Sequence, residues 1–511
     1  MNKKMKALAL LLVGVMSAGT MTACSGGEKP AEKPEVEKPA VEENKEEQKP
    51  VAEKPADTPK EDNKETVNLV WWTIGAEPKE LAAVVEEANK YTAEKIGVTV
   101  DIKYASWGEY GEKLSKIVQS GESYDMAFGA GINNYQDLAS KGYFADLSEL
   151  VPTVAPALWE FIPEELWQGM TISNKIVGVP AYKDSAQAQY WVWDKELVEK
   201  LGIDYENINT LEELEPALKQ IKENDPSKYP LVLQGLEGIN GFMVTINKMD
   251  ELLTKPYVSV SFDDPSAKVV SPWEQENVMT NLRTLHKWFN EGLINPDAAT
   301  LTETPKYKAV SAAQGYPHAD ADWSRSAEYP VISHKFFGPG YSTRTIQGSF
   351  IVVSEGSKHK EEAVKYIELI NTDKYLRNLL AFGIENQHYK KTGVNTIEVL
   401  NDGYSAPAYS QGTFFNMYVT DPAPAEKWAD LQKQLEDSFS SPALGFTFNT
   451  EKVNNQVAAC ANIQAKYEPS LITGSVNPDE VVPKMLEELN KAGYQDIIAE
   501  AQAQLDAYLG K

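Results

Sequence analysis

The chain has 511 residues, too many for one compact core, so two lobes or domains are expected, each burying its own apolar interior. A formal net charge of -26 excludes a nucleic-acid partner, because neutralising phosphates needs a basic face. Only two cysteines occur, Cys24 and Cys460, so neither a disulfide framework nor a cysteine-rich metal cluster can be built.

Met1 to Lys6 is short and basic, and the apolar stretch Ala7 to Ala18 is far shorter than the roughly 20 residues a membrane-spanning helix needs. Residues 1–23 read as a signal peptide. The run Met21, Thr22, Ala23, Cys24 resembles the lipobox of bacterial lipoproteins, with Met21 where Leu is usual. That resemblance implies that Cys24 is lipidated, becomes the first residue of the mature chain and holds it to the membrane. A plain secretory signal with an incidental cysteine is the alternative. From Ser25 to Glu65 the chain is built almost wholly of Glu, Lys, Pro and Ala without apolar periodicity, so residues 24–65 are expected to form a lipidated, disordered tether. Its proline and like-charge runs favour extension, and therefore reach.

The pattern then changes. Val67, Leu69 and Trp71 alternate within Thr66 to Thr73 as in a strand, and Pro78 opens a helix carrying Leu81, Val84, Val85, Ala88 and Tyr91 at helical spacing. Val98, Val100, Ile102 and Tyr104 alternate as a second strand. A helix with Tyr110, Leu114, Ile117 and Val118 ends near Gly121, and a short strand, Tyr124 to Phe128, follows. Strand, helix, strand, helix, strand implies a parallel sheet wrapped by helices. Thr210 and Glu213 form a capping-box pair before Leu214, Leu218 and Ile221, with Pro216 inside the helix. Val278, Leu282, Leu285 and Phe289 mark another helix, stopped by Gly292, and Ala363, Ile367 and Ile370 a third. The C-terminal stretch is nearly all helical in pattern, with Asn477 and Pro478 starting one helix and Ile497 to Leu509 in the last. Cys460 lies in the apolar-periodic run Val453 to Tyr467 and reads as a buried, inert thiol.

The opening pattern, the stretch Ser120 to Asp125 and the run Lys175, Ile176, Val177, Gly178, Val179, Pro180 resemble the extracellular solute-binding proteins, type 1, of bacterial ABC importers. Gly292 to Pro296, the run Gly383 to Tyr389 and the helical tail from Leu444 to Leu509 look like the lipoprotein LplA subgroup, where the position of Asn386 is usually glycine. The resemblance implies a two-lobed α/β fold, like that of periplasmic binding proteins, with a hinge, a ligand cleft and a helical C-terminal region. Its lobes would comprise 66–185 with 340–390, and 186–339 with 391–511. Tyr182, Lys183 and Asp184 would form a hinge strand, and Gly338, Pro339 and Gly340 the return. It implies a small-molecule ligand, permease subunits as partners, no cofactor and no catalysis.

Ligands sit at the carboxyl ends of parallel strands, which points to Trp72 and Glu77 after the first strand, Trp107 after the second and the loop Gly129 to Asn133 after the third. Aromatic faces beside carboxylates and amides suit an oligosaccharide, because flat rings cover C–H faces while polar groups pair with hydroxyls. In the second lobe Asp322, Trp323 and Arg325 cluster in a polar loop, though Asp322 and Arg325 also suit a simple surface pair. Asp184 on the hinge run, and Arg344 and Gln347 after the return, are in reach of the cleft, as ligand contacts or as hinge contacts. Trp71, Trp191 and Trp288 are expected in cores. No H-E-x-x-H, G-x-S-x-G or G-x-x-x-x-G-K motif occurs, and Asp320 and Asp322 start a calcium loop that Arg325 breaks. A secreted glycoside hydrolase, needing only an aromatic cleft and two carboxylates, stays open as an alternative, as does a passive surface protein.

Overall fold

The computed structural model describes residues 66–131 and 135–511. The signal peptide, Cys24, the tether and positions 132–134 lie outside the described residues.

The first lobe is built on a five-stranded sheet in the order Val98–Ala105, Val67–Ile74, Met126–Gly129, Phe350–Val353, Val179–Pro180. The first three strands are parallel, in register Val67 to Val98 and Trp71 to Met126, and Phe350–Val353 joins antiparallel to both its neighbours. Helices Leu81–Ile96 and Tyr110–Ser120 make the crossovers. The second stops at Gly121, whose φ of 72° lies in the left-handed region that glycine enters without penalty. Leu69, Val84, Val100, Leu114 and Ile367 share one core.

The second lobe has a four-stranded sheet in the order Val310–Gln314, Gln187–Asp194, Val331–Tyr341, Phe439–Ser440. The first three strands are antiparallel, and the last is parallel to its neighbour. The capping box at Thr210 forms as the sequence implies and starts helix Leu211–Asn224, which accommodates Pro216. Leu214, Leu282, Leu471, Leu489 and Leu505 bring this helix, Glu276–Asn290 and the three C-terminal helices into a second core. Cys460 is buried there, and burial pushes its thiol up to about 11.

One expectation about lobe boundaries needs correction. Residues 391–435 do not join the second core: Tyr404, Leu431 and Leu435 pack into the first, with Ala406, Tyr409 and Trp428 against it. Among the described residues the chain therefore crosses between lobes three times, near 186, 339 and 441, and of residues 391–511 it is the part beyond the third crossing, Leu444 apart, that packs into the second core. Asn386, at the position noted for glycine, adopts φ 65°, a left-handed conformation that asparagine tolerates better than other residues with a side chain.

The returning segment is held by a buried cation. Arg377 is fully buried, and its Nε donates to Thr413 O at 2.6 Å, Nη1 to Gln411 Oε1 at 3.0 Å and Nη2 to Ala408 O at 2.8 Å. None of these acceptors is a carboxylate, and burial drives the guanidinium down to about 9, so it stays charged at neutral pH. Oriented carbonyls take the place of a counter-ion. Replacing Arg377 with Met strands these buried acceptors, each a loss of about 1–3 kcal/mol, so urea denaturation is expected to show a loss of about 3 kcal/mol or more. Arg377→Lys should recover only part of it, since one ammonium cannot reproduce the planar fork.

Candidate ligand-binding cleft

Two adjoining cavities of about 510 and 470 Å³ lie between the lobes and share Asp250, Glu251, Arg344 and Gly348. The first is bordered by Lys183, Asp184 and Gln187 at the first crossing and by Glu237 and Asn240 of the second lobe. The second has Trp107, Gly131 and Gln136 on the first-lobe side, with Leu252 to Thr254 and Phe446 to Phe448 opposite.

The shared centre is a charge cluster. Asp250 and Glu251 open the strand Met249–Thr254, which pairs antiparallel with Tyr257–Ser261 and shifts register between Glu251 and Leu253. Such an irregularity re-aims the side chains beside it. Arg344, on the single turn Thr343–Ile346 capped by Ser342, is ion-paired with Glu251, whose side chain is only 6% exposed. Asp250 is buried and accepts the Ser441 hydroxyl at 2.5 Å. Burial pushes its carboxyl up to about 6, against the opposing pull of Ser441 and Arg344. At neutral pH it is nonetheless mostly ionised, and two carboxylates face one guanidinium in a place that water must leave when a ligand enters.

On the opposite wall Trp107 is 53% exposed, in the turn between strand Val98–Ala105 and helix Tyr110–Ser120. Tyr409 backs it, with ring centroids 5.9 Å apart and a 31° tilt, and is itself braced edge-on by Phe128 at 6.3 Å. The Tyr409 carbonyl accepts from Ser349 Oγ at 2.6 Å. An exposed indole held from behind is a platform for an apolar face.

The remaining expected site residues divide. Asp184 borders the first cavity, paired with Lys183 at 2.5 Å. Gln347 reaches the second cavity's edge but is buried, donating to Gly169 O at 2.8 Å and accepting from Gln136 Nε2 at 3.2 Å, so it holds Gln136 in place. Trp72 is not at the cleft. The first strand runs on to Ile74 between two neighbours, both of its faces are covered, and Trp72 lies in the core with Lys113 over its ring at 4.9 Å. Glu77 is exposed and borders neither cavity. Asp322, Trp323 and Arg325 lie on helix Asp320–Ala327 rather than in a loop, away from both cavities. Asp322 takes Lys427 Nζ at 2.6 Å and Tyr316 OH at 3.0 Å, Arg325 donates to Asp421 O at 3.2 Å, and Trp323 packs edge-on to Tyr190. They tie the second lobe to the segment before the third crossing.

The sequence pattern of the bacterial extracellular solute-binding proteins matches residues 75–376, and a domain of unknown function, DUF3502, matches residues 442–510. A carbohydrate ABC transporter substrate-binding protein of Streptococcus pneumoniae is 31% identical over 463 residues, 88% of this chain and 92% of its own length. The chain belongs to the bacterial extracellular solute-binding proteins. Among solved structures, the N-glycan transport solute-binding protein NgtS of Streptococcus pneumoniae is 29% identical and superposes with a TM-score of 0.80 over 87% of this chain and 100% of its own. The same protein in complex with Man5GlcNAc is 30% identical and superposes at 0.67, over 87% of this chain and 99% of its own. These relatives are two-lobed substrate-binding proteins, and membership makes this chain a solute-binding protein that works outside the cell.

In this solute-binding protein Asp250 and Glu251 escaped the sequence reading. Their signal is two adjacent acids in a strand, Met249 to Thr254, where alternation would place one of them on a buried face. Keeping Asp250 there has a measurable consequence. Its ordinary value is 3.8, so between about pH 4 and 6 the folded chain holds a proton that the unfolded chain has lost, and stability falls as pH rises through that window. Above it the carboxylate costs on the order of 2–3 kcal/mol. Asp250→Asn, which still accepts from Ser441, should therefore raise Tm at about pH 7.5, with the gain shrinking to nothing by about pH 4. Thermal scans at the two pH values check this, and a gain of equal size at both would refute it.

Proposed function

We infer that this chain captures an oligosaccharide in the cleft and hands it, unchanged, to the permease subunits of an ABC importer, while a lipid on Cys24 and the following tether keep it at the membrane. The observation that carries the reading is the meeting of the two lobes in one cavity: the braced Trp107 ring and Arg344 of the first lobe border the same space as Asp250 and Glu251 of the second, with Arg344 ion-paired to Glu251. An apolar platform beside a compact set of carboxylate acceptors and guanidinium donors matches a sugar, which has a C–H face and a rim of hydroxyls. Asp184, at the first crossing, adds a further acceptor. The relatives support the ligand class, since one is named as a carbohydrate transporter component and another was solved with Man5GlcNAc. The poorer superposition on that glycan complex, 0.67 against 0.80, is what lobe closure on a ligand would produce.

Titration calorimetry with Man5GlcNAc and with a mannose–N-acetylglucosamine disaccharide tests this reading. Trp107→Ala and Arg344→Ala should each weaken binding by about 2 kcal/mol, the size of an interface hot spot, with circular dichroism unchanged. Mass spectrometry of the glycan after long incubation should return it intact, and cleavage products would make the chain a hydrolase instead.

The anchor is tested separately. In a suitable bacterial host, Cys24→Ala should move the protein from the membrane fraction into the medium, read by immunoblot of both fractions. Equal membrane retention of the variant would remove the lipid from the account.

A further inference from the structure

A third cavity, about 920 Å³, opens beside the cleft and shares Gln136, Phe446, Thr447 and Phe448 with its second compartment. The two adjoin along these residues. Beyond them the third cavity is walled by helix Tyr135–Ser140 and the hairpin around Ser173 and Asn174 from the first lobe, and by segment 449–454 and helix Tyr494–Leu509 from the second. It too is an inter-lobe space, near the upper end of the range of about 300–1,000 Å³ typical of ligand pockets.

We propose that this space is a second subsite, which holds the distal sugars of an oligosaccharide whose first sugars lie between Trp107 and Arg344. The inference rests on the carbohydrate reading of the cleft. Its chemistry fits a hydroxylated ligand: Ser140, Asn174 and Asn449 present a hydroxyl and amides, Gln504 being tied to the Asn449 backbone and Glu500, and Tyr508 exposes 40% of its surface at the rim. Of the charged groups in the wall, Asp137 and Lys141 offset each other at 2.7 Å, and the exposed Glu451 adds a further acceptor. At the junction stands Thr447, which borders both spaces. Phe446 and Phe448 flank that point and give the ligand's apolar faces a surface on which to turn the corner.

Two variants probe the subsite without touching the cleft. Asn174 sits in a tight turn at φ 62°, so Asn174→Gly removes the amide while keeping a backbone conformation that glycine accepts. Ser140 is exposed at the end of its helix, so Ser140→Trp fills the space from a position with room for the ring. Both are to be titrated with Man5GlcNAc and with the mannose–N-acetylglucosamine disaccharide. The longer glycan should bind each variant at least about fivefold more weakly than wild type, while the disaccharide stays within about twofold. Unchanged affinity for the longer glycan, or equal losses for both, would overturn the subsite and leave the cleft reading standing. A wild-type protein that binds neither glycan would overturn the carbohydrate reading, and the subsite with it.

Discussion

The cleft depends on a close approach of backbone to backbone at the hinge. A Cβ on Gly338 would stand 2.1 Å from Gln187 O and 3.0 Å from Ala188 Cα, and its φ of 82° is one that other residues rarely adopt. Only there can the strands of the first two crossings, Gln187–Asp194 and Val331–Tyr341, run side by side through the register shifts that bring Gly340 opposite Gln187. The third crossing lies along the same edge: Phe439 pairs with Gly340, where a Cβ would stand 2.8 Å from the Phe439 ring. Three passages of chain are thus laid into one sheet, and the polar groups of the cleft come from the residues just past them. Asp184 precedes the first, Ser342 and Arg344 follow the second, and Ser441, which binds Asp250, follows the third.

That arrangement explains how a strongly acidic protein can carry a concentrated polar cluster at its cleft. Arg344 sits against Glu251 and near Asp250, so the centre of the cleft is closer to neutral than the chain's net charge of -26 suggests. A field of that sign repels anionic solutes and is indifferent to neutral ones. Buried carboxylates retained at a cost in stability, such as Asp250, mark places where a fold departs from its own optimum for the sake of a site.

Much of the fold was legible because it is local. The strands and helices through Phe128, the stop at Gly121 and the capping box at Thr210 are each set by residues within a few positions of one another. The cleft was legible only in part, because its partners are distant in sequence: Ser441 and Asp250 are 191 residues apart, and no pattern along the chain announces that they meet. Trp107 was findable as an aromatic in a turn after a parallel strand. Trp72 misled because the rule about strand ends was applied two residues before the strand stops, at Ile74. Asp322 and Arg325 do face each other, at 3.4 Å, but their other bonds go to Lys427, Tyr316 and the Asp421 carbonyl. Residues 391–435 carry little periodicity, so nothing in them says which of two cores they join.

That last segment also joins the two lobes. Helix Lys427–Glu436 buries Leu431 and Leu435 in the first core, and its other contacts reach the second lobe: Lys427 to Asp322, His318 to Asp430 at 2.6 Å and Tyr190 OH to Gln434 Oε1 at 2.9 Å. The two faces are not equivalent. Pulling the leucines out would expose apolar area at about 25 cal/mol per Å² and leave a void, whereas the exposed His318–Asp430 pair exchanges for water at about 0–1 kcal/mol. His318 and Asp430 are both well exposed, while Lys427 is buried at its stem and stacks on Tyr316 and Trp428, so the His318 pair is the more readily exchanged of the two. By its leucines the helix belongs to the first lobe, and Lys427, Asp430 and Gln434 on its other face are where that lobe meets the second.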